Sequence, residues 1–89
     1  MAYSLTITKN AEDDLAWFRK NDKHGYIKCL DFFRELAINP RKGIGKPERL
    51  KYPDGEVYSR HVNEEDRMVY SISEKDKSVY ISSCRGHYE

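Results

Sequence analysis

The sequence predicts an α+β fold in the order β-α-α-β-β-β, with a two-helix hairpin packed on a small antiparallel sheet. Three observations predict it: strict alternation of apolar and polar residues at the start, near-helical recurrence of apolar residues through the middle, and three further alternating segments separated by polar turns.

Tyr3 to Thr8 alternates Tyr3, Leu5 and Ile7 with Ser4, Thr6 and Thr8, the pattern of a strand with one buried face. Asn10 is the expected cap of the first helix, and Glu12, Asp13 and Asp14 fall in its first turn, where the positive end of the helix dipole favours them. Ala11, Leu15 and Phe18 share one face. Asn21 to Gly25 reads as a turn, after which Ile27, Leu30, Phe33 and Leu36 recur at helical spacing until Asn39-Pro40 ends the pattern. Gly43, Gly45 and Pro47 make the next stretch an irregular loop. Strands are then expected at roughly Glu56 to Val62, Arg67 to Ser73 and Ser78 to Cys84, joined as a meander by Asn63-Glu64-Glu65-Asp66 and Glu74-Lys75-Asp76-Lys77. Met68, Tyr70 and Ile72 point one way and Arg67, Val69 and Ser71 the other, so one sheet face packs on the helices and the opposite face stays accessible.

At 89 residues the chain has room for one core, so residues 1–89 are read as a single domain. Seven tyrosines, three phenylalanines and Trp17 supply the bulky apolar material that disordered chains lack. No apolar run approaches the roughly 20 residues that cross a bilayer. The start Met1-Ala2-Tyr3-Ser4 lacks a basic segment followed by an apolar stretch, and the expectation is a cytoplasmic protein with no membrane partner. Cys29 and Cys84 are far apart, without Cys-x-x-Cys or zinc-type His spacing, so reduced thiols are expected, with no metal and no cofactor.

The net charge of +1 is unevenly distributed. Acids and bases balance before Arg41, whereas Arg41, Lys42, Lys46, Arg49 and Lys51 are opposed within their segment only by Glu48. Such a patch attracts phosphates, although basic loops are commonly no more than solvated surface.

Cleaving RNA without a metal requires a base for the 2′-hydroxyl, a cation for the phosphorane and an acid for the departing 5′-oxygen. Glu48 among cations, Arg67 with its planar fork and His87, which titrates near neutral pH, supply one candidate for each. Taken singly, each has a plainer reading: a C-terminal histidine is usually solvated, Tyr88 is an edge filler, Arg67 can pair with Glu65, and Glu48 can balance Lys46 or Arg49.

Their joint arrangement is distinctive. Gly43-Ile44-Gly45-Lys46-Pro47-Glu48-Arg49-Leu50, Ser59-Arg60, Glu64-Glu65-Asp66-Arg67-Met68-Val69-Tyr70 and Cys84-Arg85-Gly86-His87-Tyr88 follow one another in this order. The series resembles the YoeB/Txe family of ribonuclease toxins in the RelE/ParE superfamily over almost the whole chain, which implies a RelE-like fold. The resemblance implies that Glu48 is the general base, Arg67 the phosphate-stabilising arginine, His87 the general acid, and Tyr88 an aligner of the scissile phosphate. It also implies that Lys46, Lys51, Arg60 and Arg85 contact RNA.

The same resemblance implies ribosome-dependent cleavage of messenger RNA in the A site, with contacts to ribosomal RNA, a 2′,3′-cyclic phosphate and a 5′-hydroxyl as products, and halted translation. It implies a Phd/YefM-type antitoxin whose flexible segment folds onto the toxin, and operator DNA reached only through that antitoxin. Homodimers are frequent in the family. Three positions depart from its pattern: His61 stands where a second arginine is common, Gly86 replaces a bulky residue before His87-Tyr88 and is expected to loosen the tail, and Glu89 extends past Tyr88. The competing readings are a non-catalytic, ParE-like gyrase inhibitor and a toxin–antitoxin corepressor module; the presence of Glu48, Arg67 and His87 argues against the first.

Overall fold

Thr8, not Asn10, starts the first helix. Its Oγ1 accepts the Ala11 N–H at 3.1 Å, which satisfies one of the free donors of the first turn, while its hydroxyl donates to the Ser82 carbonyl at 3.0 Å. Asn10 turns outward and donates to the same Ser82 carbonyl at 3.2 Å. The computed structural model describes residues 2–52 and 54–86. Its elements are β1 (Ser4–Ile7), α1 (Lys9–Asn21), α2 (Lys23–Leu36), β2 (Glu48–Arg49), β3 (Glu56–His61), β4 (Arg67–Ser73) and β5 (Ser78–Ser83).

The expected turn between the helices shrinks to one residue. Asp22 ends α1 by donating its N–H to the Phe18 carbonyl at 2.7 Å, and caps α2 by accepting the Gly25 N–H on Oδ1 at 3.0 Å. The buried face of α2 is Gly25, Cys29, Phe32 and Leu36, spaced by three or four residues as a helix face requires. Of the expected stripe, Leu36 is buried and Phe33 packs against the core, but Ile27 and Leu30 are 55% and 38% exposed. Ala11 and Phe18 of α1 are fully buried, and Leu15 packs against the same core.

The strands form one sheet in the order β1-β5-β4-β3-β2. β3, β4 and β5 are the expected antiparallel meander, but β1 pairs with β5 in parallel, Ser4 opposite Ser78 through Ile7 opposite Ile81. The sheet is therefore mixed. The parallel pair arises because the helical hairpin returns the chain across the sheet, leaving β1 beside the last strand instead of the next one. The short strand β2, not anticipated, extends the other edge by pairing Glu48 with Ser59 and Arg49 with Tyr58.

Met68, Tyr70 and Ile72 join Val79, Ile81 and the buried helix residues in one core. On the opposite sheet face Tyr80 is exposed, but Ser59 and Val69 are 2% and 7% exposed, so the centre of that face is covered instead of open. Arg41 joins the two ends of the molecule's polar rim. It donates to Glu56 at 2.6 and 2.9 Å, to Glu74 at 3.1 Å and to the Tyr3 hydroxyl at 3.2 Å, while Lys77 also pairs with Glu74. No described helix is long and apolar enough to cross a membrane.

Candidate functional site

Sheet register, more than sequence proximity, brings the candidate residues together. Glu48 lies opposite Ser59 on β3, and Arg67 lies opposite His61 two residues further along the same strand. Because side chains alternate along a strand and opposed residues share a face, Glu48, Ser59, His61 and Arg67 all project from one side of the sheet. Two strand spacings and a two-residue offset put the Glu48 and Arg67 backbones roughly 12 Å apart. A carboxylate and a guanidinium on long side chains can converge on one phosphodiester across that gap.

The chemistry of these groups is available because the fold does not consume it. Glu48 is exposed and Arg67 half-buried. Neither side chain makes a hydrogen bond or ion pair among the described residues. Arg41 is different: its ion pairs to Glu56 and Glu74 remove it from the cationic patch inferred from the sequence.

Arg60 requires a correction. Its side chain is fully buried, and its donors are all directed inward: Nε to the Tyr70 hydroxyl at 3.0 Å, Nη1 to Glu35 at 2.5 Å and the Ile44 carbonyl at 3.2 Å, Nη2 to the Lys42 and Pro40 carbonyls at 3.0 and 3.4 Å. Its guanidinium also lies 5.5 Å from the Phe32 ring centroid. A buried guanidinium must have its charge and donors satisfied, and here the protein satisfies both, leaving nothing for an RNA phosphate. Arg60 is the clamp of the 40–45 loop. The same loop is held by Glu35, which accepts the Ile44 N–H at 3.0 Å, and by the Tyr70 hydroxyl, which donates to the Pro40 carbonyl at 2.8 Å. Burial pushes the Tyr70 phenol above its ordinary pKa, so it stays a donor.

The loop then delivers Lys46 and Glu48 to the sheet. The Gly45 carbonyl accepts the His61 N–H at 2.8 Å, with Gly45 at φ +80°. A Cβ there would fall 2.5 Å from the Phe32 ring, so glycine is needed for the close approach as well as the turn. Lys46 follows at φ +51°, an uncommon conformation for a residue with a side chain, and is exposed. Lys51 is exposed beyond β2. Arg85 places its guanidinium 3.6 Å from the centroid of the Trp17 ring on α1, a contact that steers it without neutralising it.

Two acids that sequence reasoning assigned to a helix dipole and a polar turn hold the segment leading to His87. Asp14 Oδ2 accepts the N–H groups of Cys84 at 2.9 Å and Arg85 at 3.2 Å, and Asp66 Oδ1 accepts that of Gly86 at 2.8 Å. The Gly86 carbonyl in turn accepts the Arg67 N–H at 3.0 Å. Gly86 has φ +96°, a backbone conformation that glycine alone adopts without strain. The expectation that this glycine loosens the tail is therefore revised at Gly86 itself, which is held at both its N–H and its carbonyl. His87, Tyr88 and Glu89 lie outside the described residues. No sequence signal marks Asp14 or Asp66 for this role, because their partners are 70, 71 and 20 residues away in the chain.

Cys29 and Cys84 are buried free thiols. The neighbouring Cys29 thiol and burial raise the Cys84 pKa far above the ordinary thiol range. Among the described residues, no group of three or more His, Cys, Asp or Glu side chains is placed to share a metal ion.

The comparisons with known proteins agree with this architecture. The family model described as YoeB-like toxin of bacterial type II toxin-antitoxin system matches residues 7–88. Toxin YoeB of Synechocystis sp. is 38% identical over 85 residues, 96% of this chain and 96% of that protein. The structure of a YoeB dimer from Staphylococcus aureus superposes with a TM-score of 0.84 at 35% identity, covering 99% of this chain and 100% of that one. The toxin in a heterotetrameric YoeB-YefM toxin-antitoxin complex from the same organism matches with a TM-score of 0.79 at 36% identity, covering 99% and 100%.

Proposed function

Because the chain belongs to the YoeB-like toxin family of bacterial type II toxin–antitoxin systems, we propose that it is a cytoplasmic, ribosome-dependent endoribonuclease that cuts messenger RNA in the A site by acid–base catalysis without a metal. The observation that carries this reading is the placement of Glu48 and Arg67, unpaired among the described residues, on one sheet face, with the segment leading to His87 fastened to the Arg67 backbone through Gly86.

In this reaction Glu48 takes the proton of the 2′-hydroxyl, whose oxygen attacks the adjacent phosphorus. Arg67 stabilises the negative charge that accumulates on the phosphorane oxygens, and its fixed fork can hold two of them at once. His87 gives a proton to the 5′-oxygen as its bond to phosphorus breaks, and Tyr88 aligns the phosphate. The products are a 2′,3′-cyclic phosphate and a 5′-hydroxyl. Lys46, Lys51 and Arg85 contribute charge along the RNA path, with ribosomal RNA as a further ligand; Arg60 acts only through the loop it clamps.

The partners follow from the family and from exposed apolar surface. Ile27 and Leu30 on α2 are left partly open, apolar positions suited to an antitoxin segment that folds on binding. A YefM-type antitoxin and a second toxin copy are the partners proposed, with operator DNA reached through the antitoxin.

Mapping the ends of ribosome-bound messenger after treatment with purified protein tests the reading. Wild type should leave cyclic phosphate and 5′-hydroxyl ends, and should do so after transition metals have been chelated. Glu48→Gln and His87→Gln should each slow cleavage by about a hundredfold or more, the usual contribution of a general base or acid. Intact messenger with wild type would reject the reading, and arrested gyrase supercoiling in the same preparation would put the inhibitor reading in its place.

A further inference from the structure

Beside the pair of Arg67 and His61, a cleft of about 390 Å³ opens between α2 and the end of β3, lined by Lys28, Gly45, Lys46, His61, Val62, Asn63 and Glu64. Its size is near the lower end for ligand pockets. Two lysines and a histidine face one acid. Lys28 reaches it from α2, Lys46 from the loop and His61 from β3, so three separate elements contribute basic groups to one opening.

These groups are unspent. None of the Lys28, Lys46 and His61 side chains makes a hydrogen bond or ion pair among the described residues. Asn63, by contrast, is occupied: its Oδ1 accepts the Glu65 and Asp66 N–H groups, and its Nδ2 donates to Asp66 at 3.0 Å. The cleft therefore offers positive charge and little directional capacity to read a base. The backbone holds the arrangement in place, since the bond from His61 N–H to the Gly45 carbonyl fixes Lys46 beside the β3 end, at the uncommon φ of +51°. A strained residue with an unpaired charge at a cleft is a pattern of functional sites more than of packing.

We propose that this cleft is a subsite for a flanking phosphate of single-stranded RNA: Lys28 and Lys46, with His61, hold the phosphodiester next to the one between Glu48 and Arg67. The inference rests on the ribonuclease reading for the direction of the strand. His61 both lines the cleft and lies opposite Arg67 across β3 and β4, so a strand that passes His61 at the sheet end reaches a phosphate seated here and one at Arg67 in succession. Glu64, exposed and the one acid in the lining, repels a phosphate, so the two lysines must outweigh it.

The test uses a short, uncleavable 2′-O-methyl oligoribonucleotide and a set of the same oligomer in which each phosphate in turn is replaced by a neutral methylphosphonate. Fluorescence anisotropy gives affinity for wild type, Lys28→Gln and Lys46→Gln, each checked for an unchanged melting temperature. Lys28→Gln should weaken binding about fivefold at low salt and flatten the logarithmic salt dependence by about 0.7, the release expected for one single-strand phosphate contact. One methylphosphonate position should weaken wild type by a similar factor yet have no further effect on Lys28→Gln. Independent effects at every position, a loss that follows base identity, or no binding by wild type would each overturn the subsite. Cleavage of ribosome-bound messenger by wild type and its loss in Glu48→Gln are read separately, so the subsite can fail while the ribonuclease reading stands, and the reverse.

Discussion

The Arg67 N–H donates to the Gly86 carbonyl at 3.0 Å, joining the first residue of β4 to the last residue before His87-Tyr88. The same glycine gives its N–H to Asp66 at 2.8 Å. Arg67 and the segment that leads to His87 are thus neighbours through backbone, independent of where either side chain points. Replacing Gly86 with alanine keeps space for the methyl group, since nothing lies within 4 Å of a Cβ there, but strains a φ of +96°. Gly86→Ala should therefore cost about 1 kcal/mol in urea unfolding and depress messenger cleavage more than stability. An unchanged unfolding midpoint would show that the residue relaxes to another conformation.

Arg60 should behave as a stability residue. Arg60→Ala removes a buried charge, five donor contacts and a packed side chain, leaving Glu35, the Tyr70 hydroxyl and the loop carbonyls to find water. A loss of about 3 kcal/mol or more is expected from chemical denaturation. Arg60→Met keeps apolar bulk against Phe32 and should be milder. A near-neutral Arg60→Ala combined with weaker RNA binding would restore the surface role that burial denies.

The Arg41 cluster gives an acid-sensitive contribution to stability. Lys77, the Tyr3 hydroxyl and Arg41 hold the Glu74 carboxyl down to about 2, and Arg41 lowers that of Glu56. A carboxyl lowered by folding stabilises the native state above its unfolded pKa and loses that contribution as pH falls through the folded one. Stability should thus decline between the ordinary carboxylate range and about pH 2, and Glu74→Gln should flatten this decline. Urea midpoints measured across that interval for both proteins check the sign; an identical slope would remove Glu74 from the account.

The two thiols should be silent in the native protein. Cys29 and Cys84 are fully buried, and Cys84 is held protonated by its thiol neighbour and its apolar setting. A maleimide at neutral pH is expected to label neither within the time that labels both in denaturant, as mass spectrometry would show. Rapid single labelling of Cys84 would mean that the segment after β5 opens locally.

Much of the fold was legible because local rules and tertiary packing agree. β4 runs from Arg67 to Ser73 as its alternation and flanking polar turns indicate. On α2 the rules diverge: Ile27 and Leu30 look like core by composition, yet burial is decided by which face meets the sheet, and that face includes Gly25 and Cys29. The parallel partner of β1 is a long-range choice that no local pattern records. In the site, Glu48 and Arg67 could be singled out from residue type and motif, whereas the roles of Arg60, Asp14 and Asp66 depend on what lies opposite them in space. An arginine on a strand carries no mark of its burial until Glu35, Tyr70 and three loop carbonyls surround it.

The pairing of β1 with β5 also sets a schedule. Synthesis makes β1 and both helices early, yet Thr8 finds Ser82 74 residues further along the chain, and among the described residues β1 has β5 alone beside it in the sheet. A growing chain therefore carries its helical hairpin over an unfinished sheet, and contacts so remote in sequence form late and slowly. The segment after β5, fastened by Asp14 and Asp66, can settle only once that strand has emerged. The sheet and the fastened segment that follows it are thus completed last, when β5 reaches β1.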